Sequence, residues 1–169
     1  FTYDTTAPTP GALTAPADLA KLNIKPTLTW NVATDAGGLA TNPYVITVDD
    51  DSGFGSPLVT SSAQSGLSYA TTSLSLVSGT TYYWRITVTD AAGNSANSAS
   101  RSFTYDTTAP TPVITATQTS PTNAATINFQ VNFGESVTGF DTSDISLSGT
   151  ATTGGVAIFS ASGASYTFN

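Results

Sequence analysis

Apolar and polar residues alternate with a period of two along most of this chain, and that period belongs to strands half-buried in a sheet. In Pro26-Thr-Leu-Thr-Trp-Asn-Val, the alternation sets Leu28, Trp30 and Val32 on one face and Thr27, Thr29 and Asn31 on the other. Tyr44, Ile46 and Val48 form a second stripe, which runs into an Asp49-Asp50-Asp51-Ser52-Gly53 turn. A third stripe, Tyr82, Trp84, Ile86 and Val88, leaves Tyr83, Arg85, Thr87 and Thr89 facing the other way. Ala91-Ala92-Gly93-Asn94 supplies a turn into a last strand at 102–105. Farther on, Ile127, Phe129, Val131 and Phe133 alternate, and shorter pairs (Ile145/Leu147, Val156/Ile158, Tyr166/Phe168) suggest further strands. No stretch carries an apolar period of 3.6 with caps, so the expected class is all-β.

A perfect repeat organises these strands. FTYDTTAPTP occupies 1–10 and recurs at 103–112, an offset of 102 residues and about the length of one β-sandwich. Phe and Tyr two apart make a short strand, and the prolines that follow cannot continue a ladder, so each copy reads as a closing strand running into a stiff linker. The expected organisation is a closing strand of a preceding module at 1–6, a sandwich at 7–106, and a second, incomplete sandwich at 107–169. The chain reads as a portion of a longer polypeptide. Outside the decapeptides the two modules diverge, with GALTAPADLA after the first copy and VITATQTSPT after the second.

Composition narrows the function. Thr occurs 32 times in 169 residues, which suits solvated strand faces, while Lys21, Lys25, Arg85 and Arg101 are the only cations against 11 acids. A net charge of −7 without a basic patch disfavours nucleic acid and anionic membrane surfaces, and no apolar run is long enough for a spanning helix. With no Cys, His or Met, the usual zinc, haem, iron–sulfur and thiol chemistries are excluded. General acid–base work would fall to carboxylates, where Glu135, the sole Glu, has only Asp141 and Asp144 nearby in sequence; these read as turn residues. The Ser and Thr residues lack a Gly-x-Ser-x-Gly elbow, and no pattern supports a Lys-Asn crosslink from Lys21 or Lys25. The protein is therefore expected not to be an enzyme and to have no certain cofactor.

The residues of 7–106 resemble fibronectin type III modules of bacterial extracellular proteins: Trp30 matches the tryptophan of the second strand, and Gly79, Thr80 and Tyr82 match the Gly-Thr-x-Tyr opening of the sixth. The resemblance implies an immunoglobulin-like sandwich in which Trp30, Tyr82 and Trp84 are structural and Tyr82 hydrogen-bonds back to the chain as a tyrosine corner. From Ile127 to Ile145 the sequence resembles bacterial immunoglobulin-like domains of large surface adhesins, through Phe133, Glu135, Val137, Gly139, Phe140, Ser143, Asp144 and Ile145. Together these imply tandem immunoglobulin-like/fibronectin type III-like β-sandwiches, the second incomplete, in a secreted or cell-surface protein of bacterial origin. The expected role is a structural or adhesive spacer, stalk or fibre wall.

Its partners would be neighbouring modules or copies of itself, with Phe1–Thr5 a candidate donated strand for a filament. Calcium is the candidate metal, held at module ends by Asp4, Asp90, Asn94 and Asp106, with 49–51 a second acidic cluster; neither matches an EF-hand loop. The alternative function is a carbohydrate-binding or accessory module. Both tryptophans belong to inward faces, which leaves Phe54 and Tyr83 as the outlying aromatics. Thr ladders for ice or mineral binding are too short at Thr27/Thr29 and Thr87/Thr89.

Overall fold

The computed structural model describes residues 3–120, 124–146, 158–161 (backbone only) and 163–169. It divides into two compact units, Phe1–Thr108 and Ala109–Asn169. Among the described residues the only helical element is a single 3-10 turn, and no helix is long and apolar enough to cross a membrane.

Among its described residues the first unit holds nine strands: β1 (Leu13–Ala15), β2 (Ala20–Leu22), β3 (Thr27–Trp30), β4 (Leu39–Asp49), β5 (Val59–Thr60), β6 (Ser68–Ala70), β7 (Thr80–Asp90), β8 (Ser95–Asn97) and β9 (Arg101–Tyr105). One sheet runs β1-β3-β6; the larger runs β2-β9-β7-β4-β5, with β8 also on β7. The two sheets close over the stripes read from the sequence. Leu28, Ile46, Val48, Trp84, Ile86, Val88 and Phe103 are fully buried, with Trp30, Tyr44 and Tyr82 nearly so. Trp30 meets Tyr44 edge to face with centroids 5.6 Å apart, and the Tyr44 hydroxyl accepts the Ala33 N–H at 3.0 Å.

The ladders β4–β5 and β7–β8 end where a serine side chain takes over from the backbone. The Ile46 N–H donates to Ser61 Oγ (2.9 Å) and the Ile86 N–H to Ser98 Oγ (3.1 Å). β4 shifts register between Leu39 and Tyr44, where Pro43 has no N–H to give. One stripe is shorter than its alternation suggests. β3 ends at Trp30, and Val32 is 62% exposed, because the strand register breaks where Asn31 N–H turns to the Ala12 carbonyl (2.9 Å). The close approach there is made possible by Gly11: a Cβ at that position would overlap the Asn31 carbonyl and come within 2.7 Å of the Val32 oxygen.

The tyrosine corner is present. The Tyr82 hydroxyl accepts the Val77 N–H at 2.8 Å, five residues upstream, while its ring packs on Phe103 with centroids 5.8 Å apart.

The second unit has one antiparallel sheet among its described residues, β10 (Val113–Ala116), β11 (Phe129–Asn132), β13 (Ser165–Phe168) and β12 (Ile158–Ala161), in the order β10-β11-β13-β12. Val131, Tyr166 and Phe168 are buried, with Phe129, Phe133, Val137, Phe140 and Ile145 packed against them. The strand expected from Ile127 begins only at Phe129, and Ile127 is 42% exposed. Ser143-Asp144 does not open a strand. Asp141 caps the 3-10 turn Thr142–Asp144 by accepting the Ser143 N–H (2.7 Å), and Asp144 reaches back to accept the Asp141 N–H (3.0 Å). This capping box accounts for both carboxylates. Leu147 and Val156, expected in strands, lie outside the described residues, as do Phe1 and Thr2.

Candidate functional site: the acidic end of the first unit

β7 is 11 residues long, and the chain is anchored at both of its ends. At the C-terminal end the sharp turn after Asp90 is fixed by that side chain, which accepts the N–H groups of Ala92 (2.9 Å) and Asn94 (2.8 Å) while Gly93 takes a φ of 97°. The Asn94 amide then bridges outward, donating to Asp90 Oδ2 (2.8 Å) and to the carbonyls of Asp4 (3.2 Å) and Thr6 (3.3 Å). The incoming linker is further tied by Thr9 and Thr34, which exchange backbone bonds of 2.8 and 3.0 Å.

Clamping the linker in this way brings three carboxylates together. One oxygen each from Asp4, Asp35 and Asp90 lies within 4.8 Å of the others. Asp35 is held by an Asx turn to the Gly37 N–H (2.7 Å), and Gly37 leaves the space that Asp4 fills, since a Cβ there would collide with Asp4 Oδ2. An all-oxygen set on a sphere of this width fits a hard cation, whose ligands sit about 2.4 Å from the ion and therefore up to about 4.8 Å from each other. Asp90 itself is 2% exposed. Burial opposes its ionisation but is outweighed by the side-chain and backbone N–H groups of Asn94 and by those of Gly93 and Ala92, so its pKa is lowered.

The sequence grouped Asp4, Asp90 and Asn94 with Asp106. The structure joins the first three and separates the fourth. Asp106 lies at the other end of β7, where it accepts the Thr108 N–H (3.0 Å) and the Ser78 hydroxyl (3.2 Å), and Ser78 Oγ accepts the Thr107 N–H (2.8 Å). The Thr108 N–H is the main reason its pKa is lowered, with Ser78 and the charge of Lys21 adding to the effect against burial. Asp35 was missed; an Asp-x-Gly-Gly turn was its only local signal, since the residues that make it a neighbour of Asp4 and Asp90 are far away in sequence. The second acidic cluster is not a ligand set of three: the Asp49 carboxylate is fully buried and accepts the N–H groups of Asp51 and Ser56, both at 3.3 Å. Trp30, Tyr82 and Trp84 lie in the core of the first unit.

The two decapeptides adopt the same local turn. Thr6 N–H donates to Asp4 Oδ1 (2.9 Å), and, 102 residues later, Thr108 N–H donates to Asp106 Oδ1 (3.0 Å).

No curated protein and no solved structure matches the chain. Residues 18–107 match the family described as Rha78A-like, N-terminal immunoglobulin domain. The matched stretch runs from Asp18, whose carboxylate accepts the Ser102 N–H (2.8 Å), through β2 to β9, and takes in more than half of the chain and both sheets' principal strands. The chain belongs to the Rha78A-like N-terminal immunoglobulin domain family.

Proposed function

We propose that the first unit is a rigid spacer or accessory module of an extracellular bacterial protein, fibronectin type III-like in character, that holds its neighbours apart. One observation carries this reading: the same Asx turn receives the chain at the C-terminal end of β7 and releases it at the N-terminal end. Eleven residues at about 3.3 Å each separate the two anchors by about 35 Å. A linker bonded to the module at each end transmits direction as well as distance, which a flexible tether does not. Immunoglobulin-like domains of this kind are typically non-catalytic, in keeping with a structural role.

In this reading calcium stiffens the junction. Asp4 comes from the linker and Asp35 and Asp90 from the module, so a cation shared among them couples one to the other. Neighbouring modules of the same kind are the expected partners, through linkers like that at 103–112.

The chain has no Cys, so a cysteine pair can be introduced cleanly. Spin labels at Thr5→Cys and Thr107→Cys should give one narrow distance of at least about 30 Å. Asn94→Ala should broaden it, and calcium should narrow it again. A broad distribution in the parent pair, calcium present or not, would refute the spacer; a narrow one indifferent to chelator would remove calcium alone.

A further inference from the structure

The outer face of the larger sheet presents a cation whose donors are unused. Lys25 donates to the carbonyls of Thr72 (3.2 Å) and Leu74 (2.6 Å), and Arg101 donates to those of Thr14 and Pro16, both at 3.0 Å. Lys21 adds its charge beside Asp106. Arg85 has neither hydrogen bond nor ion pair among the described residues, and its Nε is shut away from solvent without an acceptor. Trp30 Nε1 and Trp84 Nε1 in the core are likewise without a partner, so Nε itself is no ligand contact and a ligand at Arg85 would have to use the terminal N–H groups.

The surroundings point to a ligand. The Phe54 ring lies over the Arg85 guanidinium, 4.2 Å from its carbon, and Phe54 holds a φ of 57°, a left-handed conformation that non-glycine residues adopt only when the surroundings impose it. The surrounding loop is fixed from below by Asp49, which bonds its N–H groups. Asp49 stands opposite Tyr83 in the ladder and is the nearest acid in that register, yet its oxygens go to the loop and not to Arg85. Tyr83, half-buried, is two residues from Arg85 on the same face, about 6–7 Å along the strand, and its hydroxyl has no partner among the described residues.

We propose that Arg85, Phe54 and Tyr83 form a binding site for a carboxylate-bearing sugar, a uronate unit of an acidic glycan. With one face of the guanidinium covered by Phe54, its remaining donors point from the edge, where a planar carboxylate accepts two parallel N–H bonds. One cation at this position, in a chain of net charge −7, suits one carboxylate and not a run of phosphates. In a uronate the carboxylate is attached directly to the pyranose ring, so anchoring it at Arg85 lays the ring toward Tyr83, whose face packs the sugar C–H groups and whose hydroxyl meets those of the sugar. A peptide carboxylate would use Arg85 but has no ring to place on Tyr83. This site is independent of the spacer geometry at the ends of β7.

Isothermal titration of the full chain with trigalacturonate at 0.15 M salt is the test, with galactotriose and triglutamate as the neutral and the non-sugar controls. Trigalacturonate should bind at least about tenfold more tightly than either. Arg85→Gln should abolish the difference between trigalacturonate and galactotriose, Arg85→Lys should retain only part of it, and Tyr83→Ala should weaken trigalacturonate while leaving triglutamate unchanged, each with the parent melting temperature. Absence of trigalacturonate binding, or binding indifferent to Arg85→Gln, overturns the proposal. Equal binding of triglutamate overturns the saccharide class and leaves a bare carboxylate site.

Discussion

Tyr82→Phe isolates one hydrogen bond at the end of the module from which the chain departs. The ring is 3% exposed and packs on Phe103, and phenylalanine preserves that packing, so the substitution removes the hydroxyl that accepts the Val77 N–H and little else. The bond is partly buried at 2.8 Å, and the donor left behind is a backbone amide facing an apolar ring edge. A net loss of about 1 kcal/mol follows, from the usual worth of such a bond plus part of the cost of stranding its donor. In a unit of about 100 residues each kcal/mol moves the melting point by about 4–8 °C, which differential scanning calorimetry resolves readily. Val77 also precedes Ser78, whose hydroxyl holds the Thr107 N–H and bonds Asp106. Amide exchange should therefore quicken at Val77 and Thr107 while the middle of β7 stays protected. A melting point within about 1 °C of the parent, with unchanged exchange at Val77, would refute the tyrosine corner as the fastener of this end.

Gly11→Ala should destabilise the first unit by about 1–3 kcal/mol, because its Cβ meets the backbone of Asn31 and Val32 and not a side chain that can swing away; urea denaturation reads it, and a neutral result would sink the close-packing argument. Gly37→Ala is the contrasting case: its Cβ meets only side chains, Asp4 chiefly and Asp35 Oδ2 at 3.2 Å, so calcium should cease to raise the melting temperature while the apo value stays near the parent. Asp18, Asp90 and Asp106 share one pH prediction. All three have lowered pKa values: the Ser102 N–H holds charge at Asp18, the Asn94 donors outweigh burial at Asp90, and the Thr108 N–H acts at Asp106. The unfolded chain then binds more protons in acid than the native one. Their contribution is complete above the unfolded carboxylate value, about 4, and is lost as pH falls through the native values, so the melting temperature should be level from about pH 8 to about pH 5 and drop below about pH 4. Asp18→Asn should reduce that drop, and a flat profile down to about pH 2.5 contradicts the sign.

Most of the first unit's core was legible as local pattern. Tyr44, Ile46 and Val48, and Tyr82, Trp84, Ile86 and Val88, are buried because a strand in a sheet covered on one side must alternate, whatever its neighbours. The Asp90 turn and the capping of the linkers by Asp4 and Asp106 are also short-range, since an Asx turn needs only the residues two or four positions on. Alternation says nothing about where a ladder stops. Val32 and Ile127 obey it and stay outside, because β3 ends at Trp30 and β11 begins only at Phe129. In the second unit Asp141 and Asp144 read as turn residues, and the capping box that they close around Thr142–Asp144 is again a short-range motif.

Local pattern and composition were enough for the all-β class, the repeat, the core stripes of β4 and β7, and the lack of Cys and His that removes thiol and imidazole chemistry. Which acids meet, and which cation lies against Phe54, follows only from the closed sheets and their loops. Asp4, Asp35 and Asp90 converge because Asn94 draws in a linker 88 and 90 residues away, and Arg85 stands unpaired because the Asp49 opposite its neighbour is taken up by the loop that carries Phe54. Side-chain chemistry is written residue by residue, but the partners that use it are set by register and by loops folding back, and these are fixed only when both sheets close over the core.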